Sequence, residues 1–170
     1  MLFTVVALVA LQLIAIVVYK VMHRNDEPST KFSSQGIDGT VPPITAKRAE
    51  TAVTFSWPVR PARLVYFWST SCEECVEELP KLLAFGRSAQ GRVEIIVIAD
   101  DDWKTISAFF HDKIPPEVVI ETGKLRETLG VFSLPDSFLV DPKGQLIERY
   151  RGPRDWSSVA AREHFLGAAR

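Results

Sequence analysis

Trp68-Ser-Thr-Ser-Cys-Glu-Glu-Cys75 holds the only two cysteines among the 170 residues of the chain, three positions apart. Immediately before them, Leu64-Val-Tyr-Phe-Trp68 is a short apolar and aromatic run that reads as a buried strand. Immediately after them, Val76, Leu79, Leu82, Leu83 and Phe85 recur on one face of a helix. This strand-to-helix junction places Cys72 at a helix N-terminus, where unpaired N–H groups and the macrodipole favour the thiolate. Cys75, one turn later, faces the same way and can close a small disulfide ring. A purely structural bridge fits badly, because so short a loop constrains the unfolded chain little. A lone pair also makes a poor four-ligand zinc site. The pair therefore reads as a redox centre.

The surroundings bound the rest. The net charge of −1 points to no nucleic-acid partner, and two cysteines are too few for a disulfide-stapled secreted fold. Leu2 to Tyr19 carries no charge and only Thr4 and Gln12 as clearly polar interruptions. As a helix it is about 27 Å long, close to the hydrocarbon thickness of a bilayer. No small-x-small cleavage site follows before Lys20, so residues 1–20 are expected to be a retained transmembrane anchor rather than a signal peptide. Lys20 and Arg24 on its C-terminal side, taken alone, favour a cytoplasmic domain. The redox pair outweighs them, because disulfide chemistry belongs on the oxidising side of the membrane. Residues 21–50, rich in Ser, Gly, Thr, Asp and Pro around singly scattered apolar positions, are expected to be a flexible linker.

From residue 51 to 170 the pattern alternates. Ala52 to Trp57 reads as an edge strand closed off by Pro58 and Pro61. Beyond the cysteine-bearing helix, Arg92 to Ala99 is a second buried strand. Asp100-Asp-Asp102 leads into a helix from Trp103 to Asp112, and a turn with an N-cap accounts for these three carboxylates. Val118 to Ile120 is a short strand, and Lys124 to Leu129 a short helix ended by Gly130. Ser137–Val140 and Gln145–Tyr150 flank the turn Asp141-Pro-Lys-Gly144 as an antiparallel hairpin. Asp155 or Ser157 is expected to cap a last helix through Leu166. The order gives an α/β sandwich with a partly parallel sheet. His23, His111 and His164 fall in no metal-ligand spacing with the cysteines, and Trp103, Phe109, Phe110 and Trp156 read as core.

These residues resemble the TlpA/ResA family of thioredoxin-fold proteins, membrane-anchored thiol–disulfide oxidoreductases that face the bacterial periplasm. Phe67-Trp68-Ser-Thr-Ser-Cys72-x-x-Cys75, Cys75-Val-Glu-Glu78-Leu-Pro80, Gly130-Val-Phe-Ser-Leu-Pro135-Asp-Ser-Phe-Leu-Val-Asp141 and Gly152-Pro-Arg-Asp-Trp156 carry the resemblance. It implies a thioredoxin-like mixed sheet flanked by helices over residues 51–170. Cys72 becomes the nucleophile and Cys75 the resolving thiol of a redox-active disulfide that needs no other cofactor. Trp68, Leu134 and a cis-Pro135 become the substrate surface. On spacing alone Glu78 is a solvated helix residue; the resemblance instead places it under the disulfide as a proton carrier. Ser71, where the family usually has Trp, and Asp136, where it has Thr, depart from the pattern and weigh against a broad apolar substrate contact.

The implied activity is reduction of disulfides in periplasmic proteins, in cytochrome c maturation or oxidase copper-site assembly. The implied partners are protein disulfide substrates and a membrane thiol reductase of the CcdA/DsbD type, with the chain held by one span in the inner membrane. Two other classes remain: a Cu(I)-binding assembly protein using both thiolates, which lacks a placed His or Met, and a redox-inert docking domain. Glu73 and Glu74 beside Cys72 suit the first turn of a helix and are expected to stabilise it, and equally to offset the helix dipole and make the protein reducing rather than oxidising.

Overall fold

A computed structural model of the chain describes residues 35–89 and 91–166, together with Gln12, Val18 and Phe32. The anchor expected over residues 1–20 lies, apart from Gln12 and Val18, outside these residues. Among the described residues no helix is long and apolar enough to cross a membrane.

The chain runs β1 (Gln35–Gly36), β2 (Ile44–Arg48), β3 (Thr51–Phe55), β4 (Ala62–Trp68), α1 (Glu73–Ser88), β5 (Val93–Ala99), α2 (Trp103–Phe109), β6 (Val118–Glu121), α3 (Leu125–Thr128), β7 (Asp136–Val140), β8 (Leu146–Arg151) and α4 (Val159–Leu166). The strands form one mixed sheet in the order β1-β8-β7-β4-β5-β6-β2-β3. Strands β4, β5 and β6 pair in parallel and the other neighbours are antiparallel. This is the α/β, thioredoxin-like mixed sheet flanked by helices.

Strand alternation splits the core in two. Leu64, Tyr66 and Trp68 of β4, with Ile95, Val97 and Ala99 of β5, pack against Leu79, Leu82 and Phe85 of α1. Val65 and Phe67, with Ile96 and Ile98, face the opposite way, toward Leu125, Leu129, Phe138 and Ile44. Both central strands are thus covered on both faces, which explains their unbroken apolar sequences.

Three expectations are corrected. The linker read over 21–50 enters the sheet at its second half: β1 pairs with β8, and β2 pairs with both β3 and β6. Ile44 and Ala46 alternate with exposed Thr45 and Lys47, so β2 is a half-buried strand too short to stand out from its polar neighbours. Phe32 is also engaged, its ring 5.1 Å from Trp156 and 5.8 Å from Tyr150. Helix α2 stops at Phe109, and His111 and Asp112 take positive φ values of 49° and 62°. Finally, α4 is capped by Ser158, whose Oγ accepts from the Ala161 N–H at 3.1 Å, while Asp155 closes the preceding turn through the Ser157 N–H.

Candidate active site

Strands β4 and β5 end side by side, with Trp68 paired to Ala99, so the turns that follow them meet. Asp101 in the second turn fastens the first. Its carboxylate accepts from the Thr70 N–H at 2.7 Å, the Thr70 hydroxyl at 3.1 Å and the Ser69 hydroxyl at 3.3 Å. Ser69 Oγ in turn accepts from the Ser71 N–H at 3.1 Å. The chain therefore reaches Cys72 on a fixed path. Asp102, as its position predicted, caps α2 by accepting from the Thr105 N–H at 2.7 Å, and this bond holds its carboxyl below the usual range. Asp100 pairs with Arg126.

Cys72 is the N-cap of α1 in extended conformation, and its Sγ accepts from the Cys75 N–H at 3.2 Å. The two cysteines are joined in a disulfide with Cα atoms 5.2 Å apart. Cys72 is half-buried and Cys75 fully buried, so only the first sulfur is open to an incoming disulfide or thiol. A Glu74 carboxylate oxygen stands 4.0 Å from Cys72 Sγ.

One turn below Cys75, Glu78 is 3% exposed and lies within the apolar stripe of α1. Its Oε1 accepts from the Trp156 indole N–H, and the Arg154 backbone N–H also bonds the carboxylate. Burial pushes its pKa up to about 7, against the opposing effects of these hydrogen bonds and the Arg154 charge. Among the described residues, neither Glu78 Oε2 nor the Tyr66 hydroxyl has a partner within hydrogen-bond geometry. The two groups still sense each other: burial first, and then the Glu78 charge, raises the pKa of Tyr66. The reading of Glu78 as a solvated helix residue is thereby corrected. A carboxyl that ionises near neutrality, beneath the inner sulfur, is suited to taking up and releasing a thiol proton.

On the facing side, Phe67 pairs with Asp136, which puts Pro135 alongside Trp68 at the disulfide end of the sheet. The Leu134–Pro135 peptide bond is cis. Leu134 is half-buried, packed against both core clusters. Trp68 does not share this surface: it is 0% exposed, with Phe109 and Phe110 rings at 5.5 and 5.7 Å, and supports the site from below. Asp136 is not turned toward substrate either. It is 1% exposed and grips Arg149 through Nε at 3.1 Å and a terminal nitrogen at 2.5 Å. Arg149 also donates to the Gly130 carbonyl at 2.8 Å and lies over the Phe138 ring at 4.8 Å. The Gly130–Asp136 segment is thus held at both ends by one guanidinium.

Cys72, Cys75 and Glu78 thus lie along the start of α1, while half-buried Leu134 and buried Pro135 lie at the same end of the sheet on the β7 side. Asp101, Arg149 and the Trp156 contact to Glu78 are additions. Trp156 was visible in its Gly-Pro-x-x-Trp setting but read as core, and no local pattern marked the other two.

A disulfide at the start of the helix that follows the central strand of a parallel βαβ unit, faced by a proline loop, defines the thioredoxin class of dithiol proteins. Residues 62–146, half of the chain, match the family described as Thioredoxin-like. The chain belongs to that family. It is 32% identical over 90 residues to the thiol-disulfide oxidoreductase ResA of Bacillus thuringiensis subsp. konkukian (strain 97-27), covering 51% of this chain and 52% of the relative. It is 33% identical over 96 residues to the thiol:disulfide interchange protein DsbE of Pseudomonas fluorescens biotype C, covering 54% and 52%. The chain thus spans about half the length of the curated relatives it matches. Among solved structures, a thiol:disulfide interchange protein from Bacteroides sp. superposes with a TM-score of 0.62 at 22% identity, over 78% of this chain and 91% of that one. A thioredoxin family thiol:disulfide interchange protein from Chlorobium tepidum TLS gives a TM-score of 0.62 at 18% identity, over 75% and 94%. At such identities these two likenesses are of fold.

Proposed function

We propose that the chain is a thiol–disulfide oxidoreductase that reduces protein disulfides. The observation that carries this reading is the stacking of three groups along one helix: an accessible Cys72, a buried Cys75 bonded to it, and a buried Glu78 with a pKa of about 7 one turn further on. In the reduced protein the Cys72 thiolate attacks a substrate disulfide, forms a mixed disulfide and releases one substrate thiolate. Cys75 then passes its proton to the Glu78 carboxylate and attacks Cys72 Sγ. The second substrate thiolate leaves and the Cys72–Cys75 disulfide remains. Two electrons pass to the substrate, and the released thiolates take up protons from solvent.

Residues 1–20 tether the domain as a single span in the bacterial inner membrane, on its periplasmic face. Protein disulfides persist there and need correction. The substrates are haem-binding cysteines of apocytochrome c or copper-site cysteines of an oxidase, and a membrane thiol reductase of the CcdA/DsbD type restores the dithiol. Kinship with ResA and DsbE supports the reaction class. Insulin reduction with dithiothreitol as electron source tests it. The native chain accelerates insulin precipitation and Cys72→Ser does not; equal rates for the two would remove the proposal.

A further inference from the structure

Phe132 is 92% exposed, the most exposed large hydrophobic side chain among the described residues. It sits mid-way along the segment that leads from Gly130 to Pro135, whose far end lies alongside Trp68 at the end of the sheet that carries the disulfide. The backbone on either side is fixed. The Gly130 carbonyl is held by Arg149 at 2.8 Å. The Val131 N–H donates to the Arg126 carbonyl at 3.0 Å, and the Val131 carbonyl accepts from Arg126 Nε at 3.3 Å. Val131 itself is 4% exposed. Beyond Phe132, Leu134 is packed into the core, and the Pro135 carbonyl accepts from the Gly152 N–H at 2.9 Å. A phenyl ring on a loop free to rearrange would turn inward; here the anchored backbone holds it out.

Across the disulfide, the exposed side chains are Ser71, Glu73 and Glu74, all polar. An apolar contact that the small, hydrogen-bonded Ser71 does not offer is available on the proline-loop side. A phenylalanine has two χ angles and loses little freedom on docking, which suits it to an anchoring role. Among the described residues Phe132 belongs to neither core cluster and packs against neither.

We propose that Phe132 is a specificity-determining residue, contacting an apolar side chain that flanks the reacting cysteine of the substrate protein. The inference rests on the exchange reading above and names the substrate class it selects: disulfides in apolar rather than charged segments. The contact forms when the substrate docks and persists in the mixed disulfide, so it acts on KM more than on kcat.

The test uses the full chain, reduced, and two peptides whose single cysteine carries a thionitrobenzoate leaving group. Leucine stands beside the cysteine in one and serine in the other. The native protein shows kcat/KM about tenfold higher for the leucine peptide, a discrimination of the size expected of one apolar contact. Phe132→Ser brings the two peptides within a factor of about two, through KM of the leucine peptide, and Phe132→Leu restores most of the preference. Val159→Ser, which alters an exposed apolar residue of α4 away from the loop, leaves the preference as it was. Equal kcat/KM for both peptides in the native protein, or a preference that survives Phe132→Ser, overturns the proposal. Failure of the exchange reading gives a different signature. Native protein and Cys72→Ser would then release thionitrobenzoate at the same slow rate from both peptides.

Discussion

Replacing Glu78 by glutamine removes one proton-binding site from the core and keeps its shape. The native carboxyl titrates at about 7, whereas in the unfolded chain it titrates at its ordinary 4.5. Between those values the folded state binds the extra proton, so native stability is highest below pH 4.5 as far as this group is concerned. It falls as pH rises through 7. The difference of two to three pKa units corresponds to roughly 3 kcal/mol, lost at about 1.4 kcal/mol per pH unit inside the window and constant above it. Glutamine keeps an acceptor for the Trp156 N–H and offers an amide donor where Glu78 Oε2 has no partner, near the Tyr66 hydroxyl. Urea unfolding of the oxidised chain at pH 4, 5, 6, 7 and 8 reads the effect. The stability of Glu78→Gln minus that of the native chain should rise by roughly 3 kcal/mol across the series. Parallel profiles would show that Glu78 ionises like an exposed carboxylate and would remove the proton-carrier argument.

Three further outcomes follow from the site. Asp136→Asn leaves the Arg149 charge buried without its counter-ion, and urea unfolding should show a loss of about 3–5 kcal/mol; a loss under about 1 would mean that the pair is solvated. Glu74→Gln removes a negative charge 4.0 Å from Cys72 Sγ. At that distance a solvent-screened interaction is about 1 kcal/mol, so reduced Cys72 should react with iodoacetamide about fivefold faster near pH 7; no change would acquit Glu74 of any influence on redox poise. A C-terminal alkaline phosphatase fusion should be active with full-length chain in the membrane fraction, and an inactive fusion would restore the cytoplasmic placement that Lys20 and Arg24 favour.

Features carried by neighbouring residues were legible in the sequence. The buried strand, cysteine pair and helix sit within one continuous stretch, and the hairpin β7–β8 announces itself through Asp141-Pro-Lys-Gly144. What escaped depends on pairings distant along the chain. Strand β2 is held by Glu121 and Ile120 of β6, far along the chain, and its five residues carry too little periodicity to mark it against a polar background. Trp156 reaches Glu78 across 78 positions, so its aromatic character signalled a core residue without revealing the hydrogen bond. Asp136 and Arg149 each look like solvated strand residues until cross-strand pairing of β7 with β8 brings them together. Trp68 shows the reverse case: its motif implied a substrate surface, and strand alternation buried it.

The division of labour between the two sulfurs is tested most directly by trapping the intermediate. Reduced Cys75→Ser incubated with oxidised insulin should accumulate a mixed disulfide that mass spectrometry of the digested adduct places on Cys72, because no second thiol remains to release it. Cys72→Ser, left with only the fully buried Cys75, should form no such adduct in its folded state. Adducts of equal yield in the two variants, or none in either, would contradict exchange initiated at Cys72.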